Sequence, residues 1–299
     1  MIVSALLVTQ AVFAASPNGF VIRDFEQRDG KRTASLRYAL YVADPPIPKR
    51  GLPLLVYLHW NQDARDAAMW ARNLVFNSAK RIGEYRCVAL AIPHPSRNRS
   101  WREHTLNAEN VELDLSFGVI KAIVSKYPID KDRIYLTGVS AGGAKCWDMA
   151  YREPELFAAV VPMAAASMKI AEPERLVDIP IWAFHNLNDA LVSADVTKNA
   201  VGHVLAAGGK AHLTCLPGSA EVQGHDCWTE AFEKHNILAW IFAQRRGSRI
   251  CWTPPGTYPW KWRHIVTVPL LVAAIMTITL QYEHRRRQRA SVSQSQSSN

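Results

Sequence analysis

The sequence of 299 residues contains only five cysteines and no Cys-x-x-Cys pair. No spacing of cysteine and histidine matches a zinc site, so we expect neither a metal ion nor another cofactor. Cys87 and Cys146 fall in apolar segments and are predicted to be packed thiols. In an exported domain, one disulfide could form among Cys215, Cys227 and Cys251. Because the count is odd, at least one thiol stays free or pairs elsewhere.

Net charge is almost absent from the first 244 residues, which carry 26 Lys or Arg and 25 Asp or Glu. The overall charge of +9 comes from residues 245–299, which hold nine basic residues and one acid, Glu283. The main part of the chain therefore lacks the basic face that nucleic acids require, and we expect no nucleic-acid partner. Apolar residues make up 48% of the chain, which is enough for one large domain with a core.

No Lys or Arg precedes the apolar run at the start of the chain. Residues 2–13 are predominantly apolar, and the small residues Ala14, Ala15 and Ser16 follow. This pattern is typical of a secretory signal peptide except for the missing basic segment. A Pro-Asn-Gly turn comes next and favours a boundary there. We predict a signal peptide over residues 1–15; the alternative is an apolar first strand.

Charge is also missing from residues 265–280. Extended to residue 282, this segment would span about 27 Å as a helix, slightly less than a ~30 Å hydrocarbon core. Trp260 and Trp262 flank one end and Tyr282 the other, as interface aromatics do. An amphipathic or core helix is the alternative, but it would be expected to carry charge.

Four arginines follow this segment, more positive charge than immediately precedes it. The positive-inside rule then places the C-terminus in the cytoplasm and the main domain outside. We predict a linker at 247–264, a transmembrane helix at 265–282, and a basic, disordered cytoplasmic tail at 283–299. The expected location is the extracytoplasmic side of a membrane, with the membrane as a partner through this helix.

Between residues 20 and 246, buried apolar runs of strand length alternate with segments of helical periodicity. Predicted strands cover residues 20–25, 36–42, 52–59, 87–93, 133–137, 158–163, 179–184 and 210–216. Predicted helices cover residues 66–80, 111–127, 144–151, 193–207 and 229–244. This alternation predicts an α/β fold with a mainly parallel sheet and helices on both faces.

The segment Gly138-Val139-Ser140-Ala141-Gly142-Gly143 lies between a predicted strand and a predicted helix. Strand, Gly-x-Ser-x-Gly, helix is the nucleophile-elbow pattern, in which small residues permit a sharp turn. The hydroxyl of Ser140 would then lie at the carboxyl end of the sheet, near a helix N-terminus. The alternative is a glycine-rich turn with an incidental serine.

A nucleophilic serine needs a base that is oriented by an acid, and in elbow enzymes the acid and then the histidine follow the serine. Asp189 comes just after a predicted strand, and His225 lies in the loop after the next one. Carboxyl ends of parallel strands share one edge, where ligands bind in open α/β sheets. We predict catalytic roles for Ser140, Asp189 and His225.

Other histidines and acids are less well placed. His59 and His185 also lie at strand ends but precede Asp189 in the sequence. His212 falls inside a predicted strand and His235 in mid-helix. Asp195, Glu221 and Asp226 are the competing acids.

Four segments together resemble the α/β-hydrolase superfamily, and within it the secreted esterases and predicted peptidases related to the prolyl-oligopeptidase-like and carboxylesterase groups. They are LLVYLHW (residues 54–60), GVSAGG (138–143), IPIWAFHNLND (179–189) and GHDCW (224–228). The resemblance covers roughly residues 21–246. It implies a Ser-Asp-His triad, here Ser140, Asp189 and His225, and hydrolysis through an acyl-enzyme.

The oxyanion of such a reaction needs two backbone donors. We predict the N–H groups of Ala141 and Asn61. The family usually has His-Gly-x-Gly where this chain has His59-Trp60-Asn61-Gln62, so its glycines are replaced, and Asn186 is a second departure. Trp60 and Trp101 are the candidate substrate-binding residues.

Short connections leave no space for a large cap, so the site is expected to suit small esters or the exposed ends of polymers. The sequence therefore predicts a membrane-anchored serine hydrolase of carboxylic esters. A serine peptidase with the same triad is one alternative. A catalytically weakened binding domain on a membrane anchor is the other.

Overall fold

The computed structural model describes residues 19–29, 32–60, 63–75, 84–93, 108–165, 171–218 and 220–248. The predicted signal peptide, transmembrane helix and cytoplasmic tail, and all of the predicted linker except Gly247 and Ser248, lie outside these ranges. Within the described residues, no helix is both long enough and apolar enough to cross a membrane.

The described residues form one sheet of eight strands in the spatial order β1-β2-β4-β3-β5-β6-β7-β8. The strands are β1 (Val21–Asp29), β2 (Arg32–Val42), β3 (Leu52–Leu58), β4 (Val88–Ile92), β5 (Ile129–Val139), β6 (Ala159–Met163), β7 (Ile181–Asn186) and β8 (Ala211–Leu216). β2 is antiparallel to both β1 and β4, whereas the remaining neighbours are parallel. The prediction of a mainly parallel sheet is therefore confirmed.

Helices lie between most of the parallel strands, and the last two follow β8. They are α1 (Ala64–Trp70), which continues as a π-helical segment (Ala71–Val75), α2 (Ala108–Lys126), α3 (Ala141–Arg152), α4 (Ala194–Ala206), α5 (Trp228–Lys234) and α6 (Ile237–Ala243). Short 3₁₀ turns occupy Pro154–Leu156, Pro173–Leu176 and Glu221–Gly224.

Every residue of β3, β4, β6 and β7 is buried. Strands that are apolar without alternation are covered on both faces, which is the condition under which parallel sheets form. The parallel register aligns the strand ends: Leu58 lies beside Gly138, Val139 beside Met163, and Asn186 beside Leu216. The loops that follow β3, β5, β7 and β8 therefore emerge at one edge of the sheet.

The prediction of a single final helix over residues 229–244 was wrong. The structure has two helices, α5 and α6, separated at Asn236, whose φ of 48° is left-handed. Asparagine adopts this conformation more readily than other non-glycine residues, and one such residue ends a helix. His235 is consequently a helix C-cap and not a mid-helix residue.

Strand boundaries also differ from the predicted ones: β1, β2 and β5 are longer, β3, β4, β6 and β8 are shorter by one or two residues, and β7 is shifted by two. β5 begins at Ile129, four residues before the predicted start, because it pairs there with Leu52 at the beginning of β3. The first two strands are extended by pairing with each other from Val21–Leu40 to Asp29–Arg32.

The last described residues are held at the opposite edge of the sheet. Arg245 contacts the carboxylates of Asp130 and Asp132, at 3.0 and 2.8 Å, near the start of β5. Burial alone would raise the pKa of Asp130, but hydrogen bonds from Arg245 and Arg133 bring it below its ordinary value. These ion pairs fix the end of the domain at the start of β5, whereas Ser140 follows the other end of the same strand.

Helix α3 packs closely against the strands, and glycine makes this approach possible. A Cβ atom at Gly142 would overlap the carbonyl oxygen of Leu58 in β3, and one at Gly143 would overlap that of Met163 in β6. Glycine is therefore required at positions 142 and 143 for steric reasons, and small residues after the serine are what the elbow pattern predicts.

We expect Gly142→Ala to lower the free energy of unfolding by about 1–3 kcal/mol, because the added methyl group overpacks the contact with Leu58. Urea denaturation of the purified protein measures this. Gly202→Ala in α4 is the matched control: nothing lies within 4 Å of a Cβ there, and alanine should stabilise the helix by roughly 0.5–1 kcal/mol. Unchanged stability of Gly142→Ala would contradict the close approach.

Candidate active site

Ser140 lies between β5 and α3 in a strained conformation. Its φ of 53° and ψ of −119° are unusual for a residue with a side chain. Its backbone is held on both sides: the N–H donates to the carbonyl oxygen of Met163 (2.9 Å), and the carbonyl oxygen accepts from the N–H of Ala144 (3.0 Å). Its side chain makes no capping bond to the helix. The Oγ atom is therefore available at the sheet edge.

The three predicted catalytic side chains form one continuous hydrogen-bonded line. The Oγ atom of Ser140 lies 2.8 Å from Nε2 of His225. On the other side of the ring, Nδ1 of His225 lies 2.7 Å from Oδ2 of Asp189. Because a carboxylate can only accept, the proton is assigned to Nδ1, which leaves Nε2 to accept from the serine hydroxyl.

Asp189 is held as an anion in a buried position, and its side chain is 0% exposed. Its Oδ1 atom accepts from the backbone N–H groups of Leu191 and Val192, both at 2.9 Å. Burial alone would raise the pKa of Asp189, but hydrogen bonds from Val192 and His225 bring it below its ordinary value. The negative charge that orients His225 is therefore present at neutral pH.

His185 reaches the same carboxylate, which the sequence reasoning did not anticipate. Its Nε2 atom lies 3.1 Å from Oδ2 of Asp189. From the sequence, His185 is a poor candidate for the base because it precedes Asp189 in the chain. The available signal was the spacing: His185 and Asp189 are four residues apart across a strand end. Two of the three competing acids are engaged elsewhere, since Asp226 binds Thr229 and Asp195 binds Lys198.

Asn186, a departure from the usual family pattern, supports the loop that carries His225. Its side-chain amide donates to the carbonyl oxygens of Gly224 (2.7 Å) and Asp226 (2.9 Å), on either side of the histidine. The N–H of Ala190 donates to the carbonyl oxygen of Gln223 (3.0 Å) and joins the same two loops. The acid and the base are therefore held together by backbone contacts as well as by their own bond.

An aromatic cluster lies beside His225. Trp228 packs edge-on against the imidazole, with ring centroids 5.4 Å apart and planes at 88°. Trp60 packs against Trp228 at 5.3 Å and against Trp70 at 5.0 Å. Trp60, a candidate substrate-binding residue, is half-buried, so part of its surface stays exposed next to this cluster. Sequence reasoning did not assign a role to Trp228.

Of the three remaining candidate residues, the structure describes only one. Ala141 is the first residue of α3, where a backbone N–H has no acceptor within its own helix. Asn61 and Trp101 lie outside the described residues. The described residues contain no cluster of three or more His, Cys, Asp or Glu side chains that could hold a metal ion.

Comparisons with known proteins relate the chain to esterases. Residues 36–172 match the family model described as Esterase PHB depolymerase, a range that includes Ser140 but ends before Asp189 and His225. No curated protein matches the chain at a significant level. A thermostable esterase of known structure is 29% identical with a TM-score of 0.62, over 76% of this chain and 63% of that chain. The present chain thus spans less than two thirds of that esterase.

More distant solved structures share the fold. A substrate-bound, fluorophosphonate-binding serine hydrolase from Staphylococcus aureus is 12% identical with a TM-score of 0.54, over 75% of this chain and 99% of that one. An acylaminoacyl peptidase from Pyrococcus horikoshii is 11% identical with a TM-score of 0.56, over 79% and 43%. The esterase family model matches across the elbow, and the chain has the α/β-hydrolase fold that these hydrolases share.

Proposed function

We propose that this chain is a serine hydrolase that cleaves carboxylic esters through an acyl-enzyme. The observation that carries the proposal is the unbroken line from Ser140 through His225 to Asp189, with distances of 2.8 and 2.7 Å. The esterase family model and the likeness to an esterase at 29% identity support esters as the substrate class.

In the first half of the reaction, Nε2 of His225 takes the proton from Ser140 as Oγ attacks the ester carbonyl carbon. The carbonyl π electrons move to the oxygen, which becomes the oxyanion. When this intermediate collapses, the bond from carbon to the leaving oxygen breaks, and the imidazolium of His225 gives its proton to that oxygen. The alcohol leaves and Ser140 keeps the acyl group.

In the second half, a water molecule takes the place of the alcohol. Nε2 of His225 accepts a proton from the water as its oxygen attacks the acyl carbon. Collapse of the second oxyanion breaks the bond to Oγ, and His225 returns the proton to Ser140. Asp189 remains ionised throughout and stabilises the imidazolium that forms in each half.

Backbone donors would stabilise the two oxyanions, and we assign the N–H groups of Ala141 and Asn61 to this role. Support for Ala141 comes from its position at the first turn of α3, next to the nucleophile. Asn61 is proposed from the sequence alone. Trp60 is proposed to line the acyl side of the site because it follows β3 by two residues, and the end of β3 pairs with the elbow strand at Gly138. Trp101 is proposed as a second substrate contact from the sequence alone.

A serine peptidase would use the same three residues, since acyl transfer from an amide differs only in the leaving group. Esters are favoured here because the fold is shared with peptidases only at identities of 11–17%, which carry no information on substrate. A weakened binding domain is the other alternative, motivated by the replaced glycines at Trp60 and Asn61.

The cellular location is proposed from the sequence. Residues 1–15 would act as a signal peptide and residues 265–282 as a membrane anchor, joined to the catalytic domain (20–246) by the linker at 247–264. Residues 283–299 would form the basic cytoplasmic tail. The hydrolase would then act on the extracytoplasmic side.

We expect the purified protein to be labelled by a fluorophosphonate at Ser140 and to hydrolyse a short-chain ester. Ser140→Ala should abolish labelling and lower kcat by at least about 10⁴-fold, because the nucleophile is lost. His225→Ala should slow both by at least about 10³-fold. Ser35→Ala, an exposed serine in β2, is the matched control and should behave as wild type. Equal labelling of the wild-type and His225→Ala proteins would refute the proposed function.

A panel of p-nitrophenyl esters and peptide p-nitroanilides divides esterase from peptidase. We expect kcat/KM to be at least about 10²-fold higher for the best ester than for the best anilide, a difference of about 2.7 kcal/mol in barrier. Higher values for a peptide substrate would support the peptidase instead.

The same panel tests Trp60. We expect Trp60→Ala to raise KM for longer acyl chains while kcat changes little, because Trp60 would contact the acyl chain equally in the ground state and in the transition state. Trp60→Phe keeps an aromatic surface and should retain most of the affinity. A loss of kcat with constant KM would place Trp60 outside the acyl site.

Deleting residues 265–299 should release an active domain from the membrane fraction, because the proposed anchor is removed. Immunoblots of soluble and membrane fractions measure the distribution, with the full chain as the control. A signal-processed form that stays in the membrane fraction after this deletion would disprove the anchor.

A further inference from the structure

We propose that His185, supported by Thr197, is a positioning residue that fixes the carboxylate of Asp189 for its bond to His225. The inference rests on the proposed function, because it assigns the role through the reacting histidine. It concerns a buried group that does not touch substrate.

The geometry around His185 determines which ring nitrogen carries the proton. Its Nε2 atom lies 3.1 Å from Oδ2 of Asp189 and 3.0 Å from the carbonyl oxygen of Val192. Both of these groups can only accept, so Nε2 must be the donor. The Nδ1 atom lies 2.7 Å from the hydroxyl of Thr197, which can donate to it. A neutral ring with its proton on Nε2 satisfies every one of these contacts.

His185 is completely buried, and this burial lowers its pKa despite the opposing influence of Val192 and Asp189. The ring is therefore neutral at pH 7. If His185 were protonated, it would be a second cation beside Asp189 and would compete with the imidazolium of His225 for the same negative charge. A neutral donor orients the carboxylate and leaves that charge for His225.

The contacts of Asp189 show why an additional donor matters. An ionised carboxylate has about four acceptor sites. Leu191 and Val192 supply two N–H groups to Oδ1, while His225 and His185 both donate to Oδ2. Without His185, the oxygen that His225 uses would be held by His225 alone. With His185, that oxygen is fixed before the reaction begins.

Thr197 belongs to α4, the helix that follows the acid loop, and its side chain is completely buried. Its hydroxyl is the donor that Nδ1 of His185 requires in the neutral state. Valine at this position would keep the shape but leave Nδ1 buried without a donor, whereas serine would keep the hydroxyl. The pair Thr197→Val and Thr197→Ser therefore separates the hydrogen bond from packing.

The decisive experiment is steady-state ester hydrolysis by full-length His185→Leu and His185→Gln. We expect His185→Leu to lower kcat by about 10- to 100-fold with little change in KM, since a hydrogen bond to a charged group is lost. The amide nitrogen of glutamine can occupy the place of Nε2, so His185→Gln should stay within about threefold of wild type. If both variants lose kcat equally while their thermal transitions remain cooperative, the positioning role is overturned.

A double-mutant cycle tests whether the effect passes through Asp189. In an Asp189→Ala background, His185→Leu should not slow fluorophosphonate labelling further. An additional loss of the size seen in the wild-type background would overturn the proposal. If His185→Leu fails to fold, the threonine pair decides: Thr197→Val should lower kcat by about three- to tenfold and Thr197→Ser should not. Equal kcat values in the two threonine variants would also overturn it.

Proton NMR gives a readout that a packing role would not move. The downfield Nδ1–H resonance of His225, which reports its bond to Asp189, should shift in Thr197→Val and His185→Leu and return toward wild type in His185→Gln. Unchanged kcat in His185→Leu, with wild-type turnover that Ser140→Ala abolishes, would overturn this inference and leave the proposed function standing. A wild-type protein that neither turns over esters nor labels at Ser140 would overturn both.

Discussion

The candidate site depends on one buried negative charge, the carboxylate of Asp189. An ionised carboxylate loses a large hydration free energy when it is removed from water, and only hydrogen bonds in the protein can replace it. Here the donors come from three separate segments: the acid loop itself, the end of β7, and the loop after β8. The three segments must therefore lie together for their donors to form hydrogen bonds with this carboxylate. The position of His225, and through it the link to Ser140, follows from the same requirement.

The nucleophile is fixed by a different constraint, which is steric. Ser140 holds a left-handed φ of 53° because β5 must end and α3 must begin within a single residue. The glycine at 142 lets α3 lie against the carbonyl oxygen of Leu58 in β3, and the Ser140 N–H is bonded to Met163 in β6. Strain at a functional residue persists only when its surroundings determine it in this way. The serine is held by the sheet and the histidine by the acid, and the 2.8 Å contact joins the two systems.

The sequence was sufficient to predict the parallel sheet and the residues that meet at its edge. Ser140, Asp189 and His225 each follow an apolar strand, and parallel strands must bring such positions together. The break at Asn236 was missed because the helical periodicity continues across it, and only the backbone conformation of that residue ends α5. The role of His185 was missed for another reason: which nitrogen meets which oxygen depends on side-chain torsions, and a four-residue spacing does not determine them.

Asn186 shows that a departure from a family pattern can support a site. Its amide donates to the carbonyl oxygens on both sides of His225 and so helps to hold the loop that carries the base. Trp60 is another departure from that pattern. Its indole packs against His59 at 4.1 Å and against Trp228, which in turn packs on His225. A side chain held within such a cluster restricts the backbone that carries it. Packing of Trp60 on Trp228, and of Trp228 on His225, therefore connects the residue two positions after β3 with the base.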